Sequence, residues 1–238
     1  MNAPRNVFSA TLVALTLASP SAFAQTSNAA RSPWSASVEI GPAWHVDVSH
    51  QTFRVGTTAP PVGGLNFGRD LVHLGPRLTL GAELGWRTEN SAGYVRQAFD
   101  TRLATQQLQL AVSLRVELTS WFTPYARLAG GASYLDASIT DGSNTSLTAT
   151  AWTPYGSAGA GVLLTGGRWF DGIGLHTLRV ALAVEGGYQL AMPATLTAST
   201  PAPANERLAA DRIATRSVSL GTLDPSAAYL RFSIGFRF

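Results

Sequence analysis

Acidic and arginine side chains recur on one face of the chain's alternating segments. In each segment apolar and polar residues alternate with period two, so its charged members point to one side of a strand. Charges gathered in a narrow space must pair, because burying an unpaired charge is costly. Arginine suits such pairing because its planar fork can bind two carboxylates. The predicted inward-facing network comprises Glu39, Glu83, Glu117, Glu185, Arg77, Arg115, Arg127, Arg179, Arg231 and Arg237.

This network has two possible roles. It forms a structural plug of salt bridges, or a glutamate–arginine pair within it gates a narrow pore. Small residues such as Ala129, Gly131 and Gly159 present little bulk on two inward faces, and arginine side chains or water would fill that space. Pairing across the turn at residues 119–124 predicts Glu117 opposite or diagonal to Arg127, the best single contact.

Other reactive groups are scarce. The chain has no Cys, which excludes disulfides, thiolate metal sites and thiol catalysis. All 17 basic residues are Arg, which excludes lysine-dependent phosphate loops and Schiff bases. The four His have no metal-ligand spacing, and no Ser–His–acid group shares an apolar strand face. We therefore expect no catalytic residue, cofactor or metal. No basic cluster indicates a nucleic-acid partner.

The elements that position the charged side chains are strands. Alternating runs of 11 to 15 residues exceed the usual five or six. In a soluble sandwich the apolar face of such strands is buried, whereas in a membrane barrel it contacts lipid and the polar face lines the lumen. Strand length favours the barrel, because long tilted strands are needed to cross an outer membrane. We predict an all-β fold, an eight-stranded antiparallel up-and-down transmembrane β-barrel.

Aromatic residues mark the ends of the predicted strands. Trp34 and Trp44 share a face ten residues apart, which is about 25 Å along the membrane normal. Trp86 and the Trp121–Phe122 pair close strands at one end, and other aromatics lie toward the opposite end. Two girdles of this kind are typical of outer-membrane barrels. The predicted girdle residues are Trp34, Trp44, Trp86, Trp121, Phe122, Tyr134, Trp152 and Tyr188.

The N-terminus has the pattern of a secretory signal peptide at residues 1–24. Arg5 supplies the positive region, residues 7–18 form the apolar core, and Ala22–Ala24 is a small-x-small cleavage site. The apolar run is too short to span a membrane as a helix. A short periplasmic leader at residues 25–33 and a barrel at residues 34–238 complete the predicted organisation.

Alternation indicates seven clear strands. They are residues 34–48, 71–87, 107–118, 125–135, 152–164, 175–190 and the C-terminal segment. Bacterial barrels have even strand numbers, so we assign an eighth strand to residues 92–101, third along the chain. Residues 49–70, with paired Pro and paired Gly, are predicted to be an outer loop. Residues 191–226, which are rich in Ala, Thr and Pro, are predicted to be a second outer loop. Their composition favours disorder.

The C-terminus resembles the terminal signature of bacterial outer-membrane barrels. The chain ends in alternating apolar residues, Leu230, Phe232, Ile234, Phe236 and Phe238. Residues 121–131, reading WFTPYARLAGG, and the later Pro154–Tyr155–Gly156 resemble segments of small OmpA-like barrel domains. The resemblance implies that the C-terminal strand is read by the outer-membrane assembly machinery. It also implies a monomer in the bacterial outer membrane, in contact with lipid and lipopolysaccharide.

Three functions are compatible with these features. A structural or surface-interaction barrel is favoured by the charge-filled lumen and the long outer loop. A narrow channel for ions or small solutes is the alternative, favoured by the small-residue wall. A lipid-modifying enzyme is a remote third, because no motif of such enzymes is present, and we expect no enzymatic activity. An extracellular ligand is not indicated by any motif.

Overall fold

The computed structural model describes residues 34–53, 59–95, 99–141, 146–166, 178–201 and 215–238. The predicted signal peptide and leader, residues 1–33, lie outside the described residues. The described chain has one short 3-10 helix, η1 (Val48–Phe53), and ten strands. The strands are β1 (Trp34–His45), β2 (Pro61–His73), β3 (Leu78–Val95), β4 (Phe99–Val116), β5 (Phe122–Asp141), β6 (Ser146–Thr165), β7 (Arg179–Ala191), β8 (Ala194–Pro201), β9 (Thr215–Leu223) and β10 (Ala227–Arg237).

Eight strands close an antiparallel barrel in the order β1 to β7 and then β10. At the seam, Trp34 N donates to Phe238 O at 3.2 Å and Phe238 N donates to Trp34 O at 3.1 Å. A row of paired residues that starts at Trp34 passes once around the barrel and returns to β1 at Trp44, ten residues farther on. This stagger tilts the strands by about 40°. The predicted all-β, eight-stranded antiparallel barrel is confirmed.

The barrel has two different ends. The terminal end holds Trp34 and Phe238, and the extended end lies opposite. The four consecutive strands β3 to β6 have 18 to 20 residues each, whereas β1, β2, β7 and β10 have 11 to 13. The longer strands therefore run beyond the rest of the barrel at the extended end.

The outer wall is apolar over a band of limited height, and β4 displays it most clearly. Its outward residues from Leu108 to Leu114 are apolar and 40–68% exposed. Farther along the same face toward the extended end, Gln106 and Arg102 are exposed and polar. The alternate residues, such as Gln109 and Ser113, are buried in the lumen.

The predicted loop at residues 49–70 is wrong in its second half, which is β2. Pro61 is tolerated because it is the first residue of the strand, where a missing N–H disturbs the ladder least. Gly64 has a packing role, since a Cβ at this position would lie 2.9 Å from both the Arg87 and the Glu39 side chains. Gly64, one of the paired glycines that led to the prediction of a loop, thus leaves room for two large lumen side chains.

The predicted second and third strands are also wrong. The segment 71–87 is divided by a turn, because β2 ends at His73, Gly75 has a φ of 99°, and β3 begins at Leu78. The described residues of the segment 92–101 belong instead to the ends of β3 and β4, which pair with each other up to Val95 and Phe99, and residues 96–98 lie outside the described residues. Strand β3 extends beyond its predicted end, and β4 begins before its predicted start.

The predicted outer loop at residues 191–226 contains a second, two-stranded sheet. Strands β8 and β9 pair as a hairpin, from Ala194 opposite Leu223 to Pro201 opposite Thr215. Residues 202–214 between them lie outside the described residues. The prediction of a loop without strands is therefore wrong for both arms of this hairpin.

No helix among the described residues is long and apolar enough to cross a membrane.

Candidate functional site

Glu185 on β7 is a junction in the middle of the lumen. Its carboxylate accepts hydrogen bonds from the Tyr229 hydroxyl at 2.9 Å, from Arg231 Nη1 at 3.2 Å and from the Tyr125 hydroxyl at 3.1 Å. Arg127 Nη1 lies 3.8 Å away. The Glu185 side chain is only 7% exposed. These donors replace the water that a carboxylate loses on burial.

A second cluster of ion pairs lies around Glu83. The Glu83 carboxylate accepts from Arg115 Nη2 at 2.9 Å and from Arg127 Nε at 3.1 Å. Arg115 Nη1 reaches Asp70 at 2.5 Å, and Asp70 also accepts from Arg237 Nη2 at 2.5 Å. Each bridging arginine uses its fork to bind two carboxylates, which fixes side chains from five strands relative to one another.

A third group joins charged and neutral side chains. Arg87 Nε donates to Glu39 Oε1, and Asn66 Nδ2 donates to Glu39 Oε2 at 2.7 Å. Gln109 Nε2 donates to Asn66 Oδ1 at 3.2 Å, and the Tyr155 hydroxyl donates to Gln109 at 3.4 Å. The chain of bonds crosses the lumen from β1 to β6, so opposite walls are tied together.

Two tyrosines fill the small-residue wall. A Cβ on Gly159 would lie 2.5 Å from the Tyr229 hydroxyl and 3.0 Å from Glu185 Oε1. A Cβ on Gly161 would lie 2.9 Å from the ring and hydroxyl of Tyr125. The space beside these small residues, which was predicted to hold arginine side chains or water, is therefore occupied by tyrosine side chains from β5 and β10.

Ion pairs in the lumen include seven of the predicted network residues. Arg77 and Arg179 instead are exposed, the first in the turn between β2 and β3 and the second at the start of β7. The seven paired residues are Glu39, Glu83, Glu185, Arg115, Arg127, Arg231 and Arg237.

The observed register of β4 and β5 does not place Glu117 opposite Arg127, as the sequence predicted. Ser113 lies opposite Arg127, and Glu117 lies just past the end of β4. Arg127 binds Glu83 and Glu185 instead. The prediction placed the two strands in the wrong register because the length of the turn between them was not known.

The predicted network left out several polar members of the lumen. Among them are Asn66, Asp70, Gln109, Tyr125, Tyr155 and Tyr229. Tyr125 and Tyr229 each lie two residues before a predicted network arginine, so strand parity alone could have found them. Asp70 was hidden in the predicted loop.

The extended end is closed by an apolar cluster, here called the apolar cap. Leu103 of β4 and Leu135 of β5 face inward there and are fully buried, as are Leu196 and Leu223 of the β8–β9 hairpin. The cap consists of Phe53, Leu103, Leu135, Ala137, Ala149, Ala194, Leu196, Ala198 and Leu223. The hairpin and η1 therefore pack onto the inner wall of the extended strands.

A histidine pair connects η1 with the barrel wall. His45 Nε2 lies 2.7 Å from Glu89 Oε1 on β3. The ring of His50 stacks on the ring of His45, with centroids 3.8 Å apart and planes 4° from parallel. Both imidazoles are buried, so this contact helps hold η1 in place.

The predicted girdle aromatics face outward at several heights. Trp34 stacks on Phe67 at the terminal end, with centroids 5.2 Å apart, and Trp121 packs against Phe122. Tyr134 and Trp152 are cross-strand partners, 5.0 Å apart, where the apolar band meets the polar extension.

Two further girdle positions and the C-terminal residues complete the outer wall. Trp44 and Tyr188 are exposed near the far ends of β1 and β7. Trp86 was predicted on the side of Trp121, which is wrong. It is the last apolar outward residue on β3 before the exposed Asn90, because β3 runs opposite to the predicted direction. The four alternating residues Phe232 to Phe238 are exposed on the outer wall.

The arrangement is suited to holding strands together. The carboxylates of Glu39, Asp70, Glu83 and Glu185 are engaged by arginine or tyrosine donors. Among the residues that the structure describes, no three His, Cys, Asp or Glu side chains are gathered as a metal site would require.

Several solved structures resemble this chain. One is Ail, the attachment invasion locus protein of Yersinia pestis, with a TM-score of 0.45 and 10% identity, covering 88% of this chain and 100% of that one. Neisserial surface protein A has a TM-score of 0.44 and 9% identity, covering 86% and 96%. The outer membrane protein AlkL has a TM-score of 0.32 and 12% identity, covering 90% and 92%. Likeness at this level says nothing about the activity of this chain.

No family model and no curated protein sequence matches the chain.

Proposed function

We propose that this chain is a bacterial outer-membrane barrel that conducts no solute and acts at the cell surface, in a structural or surface-interaction role. The apolar band supports a membrane location. On β4 it extends from Leu108 to Val116, nine residues, and a tilted transmembrane strand needs about 9–11. In water so much exposed apolar surface would favour aggregation.

The observation that carries the proposal is the filling of the lumen at two levels. The ion-pair network crosses the middle, and the apolar cap closes the extended end. A conducting pore needs a continuous path lined by water-accessible groups. The central side chains are instead bonded to one another, and the cap consists of buried apolar side chains. This favours a structural barrel over the channel alternative.

The extended end supplies the surface for interaction. Its outer faces are polar where the strands leave the apolar band, as at Asp100, Arg102 and Asp136, which are exposed. The hairpin between β3 and β4 also exposes Tyr94 and Phe99 near its tip. A rigid sheet with polar faces and aromatic tips suits contact with partners outside the cell better than transport.

The expected partners follow from this location. Lipid would contact the apolar band, lipopolysaccharide the outer rim, and the assembly machinery the C-terminal strand. The predicted signal peptide would direct export. We expect a monomer without enzymatic activity or cofactor, and an OmpA-like barrel in the broad architectural sense.

Labelling of single cysteines tests location and orientation together. The natural chain has no Cys, so Thr197→Cys on the hairpin and Pro76→Cys in the β2–β3 turn each provide one exposed thiol. In intact cells a membrane-impermeant maleimide should label Thr197→Cys and leave Pro76→Cys unlabelled until the outer membrane is permeabilised. The reverse pattern, or equal labelling of both, would contradict the proposal.

A further inference from the structure

A small cavity of about 30 Å³ lies inside the barrel between the Arg87–Glu39 pair and the His45–Glu89 pair. Residues from β1, β2, β3, β4, β7 and β10 surround it. A water molecule needs roughly 10–15 Å³ of such space. The cavity therefore has room for about two waters or one monatomic ion.

The lining contains buried nitrogen atoms that have no acceptor among the described residues. Arg87 is 1% exposed, and only its Nε is bonded, to Glu39. Its Nη1 and Nη2 atoms are buried and unpartnered. Buried N–H donors of a guanidinium group are costly to leave unbonded, because the group is charged. An acceptor within the cavity would satisfy them.

The donors of the lining favour an anion as that acceptor. Two guanidinium groups line the cavity, that of Arg87, paired with Glu39 through Nε, and that of Arg231, paired with Glu185 through Nη1. The carboxylate in the lining, Glu89, is bonded to His45. The Arg231 guanidinium lies 3.6 Å from the centroid of the Tyr229 ring. Hydrogen bonds from a charged donor to an anion are roughly twice as strong as neutral ones.

Neutral donors in the lining add to the site. Gln107 and Thr105 of β4 lie at the wall and are buried, and an amide and a hydroxyl can both donate to an anion. The site thus offers both charged and neutral donors to a small anion.

We propose that this cavity binds a single halide ion, chloride in the cell, held by the two terminal nitrogens of Arg87 and by neighbouring donors. The ion would stabilise this part of the lumen by supplying the acceptor that the Arg87 terminal nitrogens lack.

Thermal unfolding of the refolded full barrel in detergent provides the first test. The melting temperature should rise saturably when sodium gluconate is replaced by sodium chloride or sodium bromide at constant ionic strength. Gluconate is too large for the cavity. The control variant Arg115→Gln removes a lumen arginine outside this cavity, and it should retain the halide-dependent shift, whereas Arg87→Gln should lose it. Equal melting temperatures in all three salts would overturn the proposal.

A direct measurement covers the case in which Arg87→Gln does not fold. Crystals of the natural chain soaked in sodium bromide should show an anomalous difference peak within about 3.5 Å of the Arg87 terminal nitrogens. Electron density without an anomalous signal at that position would identify water and would overturn the proposal.

Discussion

Single carboxylates in the lumen each serve several donors, and this sharing explains how charges survive burial. Glu185 binds two tyrosine hydroxyls and an arginine, and Glu83 binds two arginines and a serine. Burial of an ion costs several kcal/mol unless hydrogen bonds satisfy it. The barrel meets that condition with arginine forks and tyrosine hydroxyls from neighbouring strands.

Replacing Glu185 with Gln should therefore destabilise the barrel by about 3–5 kcal/mol, because a buried arginine would lose its charged partner. The decrease is measured as a lower temperature for the loss of heat-modifiable mobility on gels. Asp136→Asn removes the same charge from an exposed position, and it should change stability by less than about 0.5 kcal/mol. Equal melting of Glu185→Gln and the natural chain would show that the network contributes nothing to stability.

Neighbouring glycines on β5 have different roles at the scale of the element. A Cβ on Gly131 would lie 1.9 Å from the Leu108 carbonyl oxygen, whereas a Cβ on Gly130 would meet nothing closer than 3.8 Å. The close approach of β4 to β5 therefore requires glycine at position 131 but not at position 130. Its missing side chain is a requirement of strand packing.

The variant Gly131→Ala should lose about 3 kcal/mol of stability or fail to fold, because backbone must shift to admit the methyl group. Gly130→Ala is the matched control, and it should fold with little change. Urea unfolding followed by tryptophan fluorescence would measure both. A Gly131→Ala barrel as stable as the Gly130→Ala barrel would show that the approach of the two strands is not a constraint.

The β8–β9 hairpin is held on the barrel by its buried leucines. Leu196→Asn places an amide in the apolar cap and should free the hairpin without unfolding the barrel, because the ion-pair network is untouched. We expect rapid proteolysis within the hairpin and unchanged heat-modifiable mobility. The control variant Thr197→Asn changes the next residue, which is exposed, and its hairpin should remain resistant to proteolysis. Resistance of both variants would mean that the cap does not anchor the hairpin.

Alternation was sufficient to predict the barrel and most of its network, because lipid and lumen faces repeat with period two. The count of eight strands came from the even strand number of bacterial barrels, and the strand added on that ground, at residues 92–101, is wrong. It failed where lumen glycines interrupt the pattern. Strand β2 resembles a loop in composition partly because it has glycine at position 64, where the Arg87 and Glu39 side chains occupy the space that a Cβ would need. The register between β4 and β5, and hence the partner of Arg127, depends on turn length. The apolar cap joins segments far apart in the chain and leaves no local signal.

At the scale of the whole molecule, the stagger of ten residues over eight strands gives an interior that side chains can fill. Tyrosines and arginines fill its middle, and the hairpin closes its extended end with apolar side chains. The long strands β3 to β6 then project past the apolar band. The architecture therefore combines a closed interior with a raised outer surface.

Single-channel recording of the refolded protein in planar bilayers tests the closed lumen most directly. With folding verified by the gel shift on heating, we predict no discrete openings at any applied voltage that the bilayer tolerates. Reproducible single-channel steps from the folded protein, with a conductance altered in the Glu185→Gln variant, would contradict the closed lumen and establish the network as a gate.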